Sequence, residues 1–237
     1  MKSEVTAVVS CMVEGDLPFA AEGLRSVERQ SHACEIIVLL SERTAGFQDV
    51  VKAMGIAARC EVIPLSPAGV TRNLGVKFAS TEWIAFLDID DIWRPCKIER
   101  QLKYAAKHGC WALGTRHILM WGDQVPFFYG FARTMPLTSS WLVKRDFLVQ
   151  EPFLDVKEFE DAELWRRFNR RRPTRTMLDY LIHYRVRASS YSSNFSNPKR
   201  NKEWFARASR NTVARCFFLA TSRAVSWCYW PKYPAPA

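Results

Sequence analysis

The sequence predicts an α/β fold, with a parallel central sheet flanked by helices, and three observations support this prediction. Short β-branched runs at 5–9 and 35–40 enclose a stretch whose apolar residues recur at helical spacing. Further apolar runs at 58–65 and 83–87 continue the alternation of strand and helix. The 237-residue chain is 48% hydrophobic, which is ample for a sizeable core. Alternating units of this kind form parallel sheets with right-handed crossovers.

The first helix lies between the first two strands, because Ala20, Leu24 and Val27 fall on one helical face. A second helical stretch near 47–54 separates the second strand from the third. The segment 69–80 then leads into the fourth strand. The first half of the chain therefore reads as repeated strand and helix units.

Beyond the fourth strand the pattern is clear in three places. Pro95 is well placed at the first turn of a helix that ends at Gly109, and Asp91 is a candidate cap for that helix. Residues 158–170 have helical spacing, and residues 178–186 have the composition of a strand. The sequence thus predicts that helices and strands continue into the second half.

One folded domain is predicted at 1–190, followed by an extension at 191–237. The extension begins as a polar joint rich in Ser and Asn, continues as a basic and aromatic helix, and ends in a Pro-rich tail. Within the domain, residues 111–143 mix strand-like and loop-like pieces and give no clear pattern. No internal repeat is present.

Basic residues exceed acidic ones, so the formal net charge is +10, and they cluster at 166–176 and 199–215. Such clusters attract phosphate, nucleic acid or an anionic membrane face. No window reaches the roughly 18 uninterrupted apolar residues of a spanning helix. Glu4 and Glu14 flank the first apolar run, which therefore predicts a strand rather than a secretory signal. We expect a cytoplasmic protein.

The seven cysteines include no CxxC pair and no His at metal spacing. An odd number without such pairing is typical of reduced, mostly buried thiols in a cytosolic protein.

Three carboxylates follow the fourth strand directly. The stretch "AFLDIDDIW" contains Asp88, Asp90 and Asp91 straight after an apolar run. In parallel sheets, ligands bind beyond the carboxyl ends of the strands. Carboxylates two residues apart on a turn can hold Mg²⁺ or Mn²⁺, which take one or two protein carboxylates plus the oxygens of a diphosphate. Alternatively, Asp88 and Asp90 cap a loop and Asp91 starts a helix; the spacing alone does not decide.

Residues 69–101 resemble the donor-binding half of family-2 glycosyltransferases of the GT-A fold. In that family an Arg-Asn-x-Gly helix precedes an apolar strand, a D-x-D-D turn and a Pro-Lys-x-Glu-x-Gln helix. The positions in register are Arg72, Asn73, Gly75, Phe86, Leu87, Asp88, Asp90, Asp91, Pro95, Lys97, Glu99 and Gln101. The stretch "KEFEDAELWRRF" at 157–168 similarly resembles the family's Glu-Asp motif. The resemblance covers 5–190, with 1–110 as the donor half and 111–190 as the acceptor half.

The resemblance implies the GT-A nucleotide-diphospho-sugar transferase fold, with a mixed, mostly parallel central sheet flanked by helices. It implies an inverting transfer of a sugar from a nucleotide diphosphate to a hydroxyl of a glycan or lipid-linked glycan. Asp161 is then the general base, and Asp90, helped by Asp88, holds Mn²⁺ or Mg²⁺. Glu160 and Trp165 are expected at the acceptor. The residues expected to contact the donor are Ser10, Arg72, Asn73, Asp88, Ile89, Arg185 and Arg187.

Several of these residues also have structural interpretations. Asp161 could be an ordinary first-turn acid, favoured by the helix dipole, and Arg72 could be a cation on a helix surface. Arg185 and Arg187 occupy the stretch where some relatives carry a His that reaches the metal or diphosphate. Arginine cannot ligate a cation, but it can clamp phosphate oxygens in two-pronged fashion.

Leu40 and Ser41 stand where the family's second strand usually ends in two acids, one of which contacts the nucleotide base. This departure keeps open an inactive relative that binds sugar nucleotides as a sensor or scaffold. A nucleic-acid-binding protein would explain the net charge. However, the acidic turn would repel a phosphate backbone, so no nucleic-acid partner is expected. A nucleotidyltransferase would need a Gly-rich basic loop after the first strand, which this chain lacks.

The segment 199–230 mixes basic and aromatic residues, a composition that suits an anionic membrane surface. The alternative is that its aromatic residues pack onto the catalytic domain. The expected location is the cytoplasm or the cytoplasmic face of the inner membrane. By family habit, the expected pathway is bacterial surface polysaccharide or lipopolysaccharide synthesis.

Overall fold

The computed structural model describes residues 3–121, 124–129, 135–156 and 159–186. Nine strands lie in these ranges: β1 (Val5–Cys11), β2 (Glu35–Leu40), β3 (Arg59–Val62), β4 (Trp83–Asp88), β5 (Ile92–Trp93), β6 (Ala112–Trp121), β7 (Gln124–Tyr129), β8 (Leu142–Lys144) and β9 (Arg175–Val186). The α-helices in the same ranges are α1 (Leu17–Glu28), α2 (Phe47–Ala53), α3 (Ala68–Phe78), α4 (Lys97–His108), α5 (Arg145–Gln150) and α6 (Glu160–Arg171). A short 3₁₀ helix covers Thr138–Ser140. Arg187 and the extension at 191–237 lie outside the described residues.

The described strands form one mixed sheet in the order β3-β2-β1-β4-β8-β6-β9-β5, and β7 pairs with β6. Strands β1 to β4 pair in parallel, as the sequence predicted. β8 runs antiparallel between β4 and β6, and β9 is parallel to β6 and antiparallel to β5. The sheet contains strands from both halves of the chain, and its division into a donor and an acceptor half stays a prediction.

Hydrophobic cores fill both faces of the sheet. Along β1, Val5, Ala7 and Val9 face the core under α1 and α2, whereas Val8 faces the core under α3. This alternation follows from the two-residue period of a strand. A helix covers each face, which explains why the strands read as continuous apolar runs in the sequence.

Helix α3 approaches the sheet very closely at one point. A Cβ on Gly75 would lie 2.2 Å from Cγ1 of Val8, so only glycine fits between α3 and β1 at this distance. This close packing places α3 directly against β1, and Arg72 of the same helix reaches Asp88 at the end of β4.

The start of α4 differs from the prediction. The helix begins at Lys97 with Cys96 as its N-cap, so Pro95 precedes the helix instead of lying in its first turn. Residues 92–93 form β5, and the Arg94 N–H donates to the carbonyl of Leu181 at 2.9 Å, which holds this stretch extended. The predicted end is confirmed, because Gly109 adopts the left-handed conformation with φ 61°.

A lysine is buried in α4. Lys97 is fully buried, its Nζ donates to Oε1 of Gln101 at 2.8 Å, and it lies 4.0 Å from the ring centroid of Trp93. Burial lowers the pKa of Lys97 to about 7.

The five described cysteines are free thiols, and burial raises the pKa of Cys11 and of Cys34 to about 12. No helix within the described ranges is both long and apolar enough to cross a membrane.

Candidate active site

The acidic turn lies at the carboxyl end of β4, next to the end of β1. Ser10 is the register partner of Asp88, and its hydroxyl donates to Oδ1 of Asp88 at 3.2 Å. The backbone N–H of Ile89 donates to the carbonyl of Ser10 at 3.1 Å. The Asp88 N–H donates to the hydroxyl of Ser139, in the 3₁₀ helix, at 3.2 Å. Backbone contacts therefore hold the turn in place from two sides.

Helix α1 presses against the turn from a third side. Gly23 has no room for a side chain, because a Cβ there would lie 2.0 Å from the carbonyl oxygen of Ile89. One turn further along, the Ser26 hydroxyl accepts from the backbone N–H of Trp93 at 3.0 Å. The close approach of Gly23 and the hydrogen bond of Ser26 both hold the turn against α1.

Arg185 clamps the turn from behind. It is 1% exposed, its backbone N–H donates to Oδ1 of Asp91 at 3.0 Å, and its Nε donates to the carbonyl of Asp90 at 2.9 Å. Its Nη2 donates to Glu22 at 2.6 Å, and the guanidinium lies 4.4 Å from the Phe19 ring centroid. The pairing of β9 with β5 buries this side chain beneath the turn, and the contact of Arg185 with the donor phosphates stays a prediction. Its role is to support the turn.

Asp91 is buried beside Arg185 beneath the turn. It does not cap α4, contrary to the prediction, because the N-cap of that helix is Cys96. Its carboxylate is fully buried, and Oδ2 has no hydrogen-bond partner. Burial raises the pKa of Asp91 well above its usual range, and the neighbouring Asp90 and Asp88 raise it further. Asp88 and Asp90 are partly exposed, which leaves them as the carboxylates of the turn that a ligand can reach.

Arg72 connects the turn to the Glu-Asp motif. Its Nη2 donates to Oδ1 of Asp88 at 2.9 Å, and its Nη1 donates to Oε1 of Glu160 at 2.8 Å. The guanidinium also lies 5.7 Å from the Phe153 ring centroid, and the side chain is only 7% exposed. The guanidinium is thus engaged by two acids and is not a solvated surface cation, and its predicted contact with the donor stays a prediction.

Asn73, predicted as a donor contact, uses its amide to secure the neighbouring chain. Its Nδ2 donates to the carbonyl of Phe153 at 2.8 Å, and its Oδ1 accepts from the Phe153 N–H at 3.0 Å. This paired bond fixes the segment between α5 and α6. The structure therefore shows a positioning use of the amide that the sequence did not reveal.

The two acids of the Glu-Asp motif begin α6. Oδ1 of Asp161 accepts from the Ala162 N–H at 2.7 Å, and Oδ2 accepts from the Thr138 hydroxyl at 3.3 Å. Burial raises the pKa of Glu160, and Asp161 raises it further, whereas Arg72 opposes the shift. The two carboxyl groups differ in setting: Glu160 is paired with a cation, and Asp161 is half-buried beside a hydroxyl.

Trp165, predicted at the acceptor, lies in the core. It is 4% exposed, and its ring centroid lies 4.7 Å from that of Trp141. Leu164 and Phe168 of α6 are buried in the same cluster. The apolar stripe of the helix faces the sheet and directs Trp165 inward, and its contact with the acceptor stays a prediction.

The 3₁₀ helix supplies the residues that sequence reasoning missed. Thr138 contacts Asp161 and the next residue, Ser139, contacts Asp88, so adjacent side chains join the two acidic motifs. They lie in the stretch 111–143, where no pattern was recognised. The run of hydroxyl residues in "PLTSSW" was the only local signal, and hydroxyl residues are also common in ordinary turns.

The end of β2 carries hydroxyls where acids were expected by resemblance. Ser41 is 1% exposed and donates to the carbonyl of Met12 at 2.7 Å, and the Thr44 hydroxyl donates to the carbonyl of Cys11 at 2.6 Å. Leu40 is buried in the core. The side chains of Leu40 and Ser41 are both uncharged and both buried. The end of β2 therefore presents no carboxylate at these two positions to a nucleotide base.

The residues of the turn suit a divalent cation of the oxygen-ligated kind. No group of three His, Cys, Asp or Glu side chains that could hold a metal occurs within the described ranges. Mg²⁺ and Mn²⁺ sites of nucleotide enzymes need fewer protein ligands, because substrate phosphates and waters complete the shell. Asp90 and Asp88 provide such a partial set, although the bond from Arg72 already occupies part of the Asp88 carboxylate.

A family model described as "Glycosyl transferase family 2" matches residues 6–130, which is more than half of the chain. The chain belongs to glycosyl transferase family 2. The predicted enzyme class and the predicted GT-A fold are thereby confirmed.

Among curated relatives, this family-2 glycosyltransferase is 26% identical over 231 residues to the Bacillus subtilis protein named "Putative teichuronic acid biosynthesis glycosyltransferase TuaG", covering 89% of this chain and 88% of that one. It is 31% identical over 87 residues to an uncharacterized glycosyltransferase of Nostoc, covering 35% of this chain and 27% of the relative.

Solved structures share the fold. The mannosyltransferase PcManGT from Pyrobaculum calidifontis, solved with GDP-Man and Mn²⁺, superposes with a TM-score of 0.68 at 15% identity, covering all of this chain and 77% of that one. S. aureus TarS in complex with UDP-GlcNAc gives a TM-score of 0.64 at 16% identity, covering 97% and 73%. These likenesses show the GT-A fold.

Proposed function

We propose that this family-2 glycosyltransferase moves a sugar, with inversion, from a nucleotide diphosphate to a hydroxyl of a glycan or lipid-linked glycan. One observation carries the proposal: the acidic turn and the Glu-Asp motif lie at the same edge of the sheet, joined through Arg72. Such a reaction needs groups that manage the leaving diphosphate and a base that takes the proton of the acceptor. The two motifs provide both.

Asp90 and Asp88 are the residues that would hold Mn²⁺ or Mg²⁺. Such an ion, when bound, acts as a Lewis acid on the leaving diphosphate. Support comes from two fold neighbours solved with Mn²⁺, one with GDP-Man and one with UDP and phosphoglyceric acid. Ser10 and the backbone around Ile89 lie beside these acids and are proposed to contact the donor.

Asp161 is proposed as the general base. The Thr138 hydroxyl and the Ala162 N–H orient its carboxylate, and the side chain remains partly exposed. The base would take the proton of the acceptor hydroxyl on one carboxylate oxygen as the new bond forms. Glu160, one residue earlier, is proposed to orient the acceptor. A positioned base of this kind contributes about 10²–10⁴-fold to the rate.

The class of acceptor is proposed from the relative with the fullest overlap. The chain and the Bacillus protein named for teichuronic acid biosynthesis align over nearly their whole lengths. We therefore favour synthesis of a cell-surface polymer.

The segment 199–230, which is basic and aromatic, is proposed to hold the enzyme on an anionic membrane. The full chain should co-sediment with anionic but not neutral vesicles, and a chain cut after Asn197 should not; binding that survives the cut would contradict this role.

The decisive experiment follows the release of nucleotide diphosphate. The protein is incubated with UDP-glucose, UDP-GlcNAc and GDP-mannose in turn, with Mn²⁺ or with a chelator, and free UDP or GDP is measured. Mn²⁺-dependent release that Asp161→Asn abolishes supports the enzyme. Binding of the nucleotide without release, even with a bacterial glycolipid extract as acceptor, would favour the silent sugar-nucleotide scaffold that the changed β2 end keeps open.

A further inference from the structure

Arg72 is shared between two acids that lie far apart in the sequence. Asp88 ends β4, and Glu160 begins α6, 88 residues beyond Arg72. The side-chain exposures are 7% for Arg72, 12% for Glu160 and 40% for Asp88. A buried guanidinium with an acid on each side sets the distance between them, because its planar fork fixes the direction of every N–H.

The two acids depend on this arginine to different extents. Asp88 is also held by the Ser10 hydroxyl and, through its backbone, by Ser139. For the Glu160 carboxylate, the side-chain partner that the structure shows among the described residues is Arg72. Losing Arg72 should therefore leave the donor side of the site largely in place and release the acceptor side.

We infer that Arg72 is a positioning residue that aligns Glu160 with the acidic turn, and not a ligand of the donor. This inference rests on the proposed function of the site. One guanidinium satisfies both carboxylates, stacks beside Phe153 and is almost closed off from solvent. To turn both arms of its fork toward a diphosphate, it would have to release Glu160, whose side chain is 12% exposed and whose side-chain partner among the described residues is Arg72. Such a separation is strongly unfavourable for a desolvated ion pair.

The chain offers a matched control. Arg167 also bridges two acids, donating to Glu151 at 2.5 Å and to Glu163 at 2.8 Å, and its side chain is 22% exposed. It lies on α6, and the partners that the structure shows for it are Glu151, Glu163 and the carbonyl of Pro152, not Asp88 or Glu160. Arg167→Met therefore reports what the loss of a partly buried, doubly paired arginine costs in stability alone.

The test uses the full chain and five variants: Arg72→Met, Arg72→Lys, Glu160→Gln, Arg72→Met combined with Glu160→Gln, and Arg167→Met. Calorimetry with UDP and with GDP in the presence of Mn²⁺ gives the nucleotide Kd. Hydrolysis of UDP-GlcNAc and of GDP-mannose at saturating concentration gives turnover to water. Thermal unfolding gives Tm.

If Arg72 positions Glu160, its loss should lower turnover while leaving the nucleotide Kd nearly unchanged. Arg72→Met should lower turnover by at least about tenfold, because small misplacements at a reacting site are costly. Its nucleotide Kd should change by less than about threefold, since Asp88 keeps its other partners. Arg72→Lys should regain part of the turnover. Adding Glu160→Gln to Arg72→Met should cost little further turnover, because the alignment is already lost.

Other results would overturn the inference. A nucleotide Kd that rises about tenfold or more in Arg72→Met, with turnover at saturation unchanged, would make Arg72 a donor ligand. Additive losses in the double variant, or a turnover loss that merely follows Tm as in Arg167→Met, would make it purely structural. If the wild type hydrolyses neither donor, the proposed function fails. The pairing is then judged on Tm: Glu160→Gln should restore the Tm that Arg72→Met loses, and additive losses would refute it.

Discussion

Replacing Gly23 with alanine tests how rigidly helix α1 holds the acidic turn. A Cβ at this position would lie 2.0 Å from the carbonyl oxygen of Ile89 and 3.1 Å from that of Asp91. Carbon and carbonyl oxygen normally stay about 3.3 Å apart even in close contacts. The helix and the turn must therefore separate by about 1.3 Å.

The sign of the effect is the reverse of the usual one. Within a helix, Gly→Ala normally stabilises by about 1 kcal/mol. Here the new methyl meets backbone that cannot swing away, and overpacking of this kind costs about 1–3 kcal/mol or more. We expect Gly23→Ala to destabilise the protein by about 1–2 kcal/mol net. A shift of about 1 Å in the acids can lower turnover by about 10²-fold.

Urea unfolding and Mn²⁺-dependent donor hydrolysis measure the two effects. Gly46→Ala is the control, because a Cβ on Gly46 meets nothing within 4 Å and its φ is −60°. The control should be neutral or stabilising by up to about 1 kcal/mol, because alanine adopts the helical φ and ψ of Gly46 without strain. If Gly23→Ala is as stable and as active as the wild type, the close contact does not fix the turn and the reasoning is wrong.

Three further predictions concern single side chains. Asp90→Ala should abolish Mn²⁺-dependent nucleotide binding in calorimetry at unchanged Tm; full retained affinity would refute the metal assignment. Asp161→Asn should keep nucleotide affinity but lower donor hydrolysis by about 10²–10⁴-fold, whereas Asp146→Asn, an exposed first-turn acid of α5, should change neither. The pKa of Lys97 is about 7 in the folded protein, so between pH 7 and pH 10 the unfolded chain binds a proton that the folded chain does not. The free energy of unfolding of the wild type should therefore rise with pH, relative to that of Lys97→Met, over this range. If the two proteins show the same pH dependence in urea unfolding, the prediction is wrong.

The parallel strands of the first half could be predicted because each buried strand leaves its own apolar run, whereas their order in the sheet was not predicted. The acidic turn was visible for the same reason, since charges directly after such a run are conspicuous. Asp161 and Glu160 were placed by resemblance, and the structure brings both to the edge where the turn lies. These parts depend on local sequence.

The remaining parts depend on contacts between distant segments. Nothing near Arg185 in the sequence indicates that β9 pairs with β5 and buries its side chain beneath the turn. From the sequence alone, Arg72 could be a cation on a helix surface, because its pairing with Glu160 depends on where α6 packs. Trp165 was assigned to the acceptor by resemblance alone, and nothing in the local sequence shows that α6 packs it against Trp141.

The clamp formed by Arg185 also sets the order in which the protein can mature during synthesis. The residues that it joins, Asp91 and Arg185, are 94 positions apart, so the acidic turn lacks its support until the strand β9 has left the ribosome. Contacts at such long range form late, because the intervening chain must first be ordered. The emerging N-terminal half therefore carries its strands and its acids without a finished site. The acidic turn gains its support from Arg185 only when β9 is inserted into the sheet.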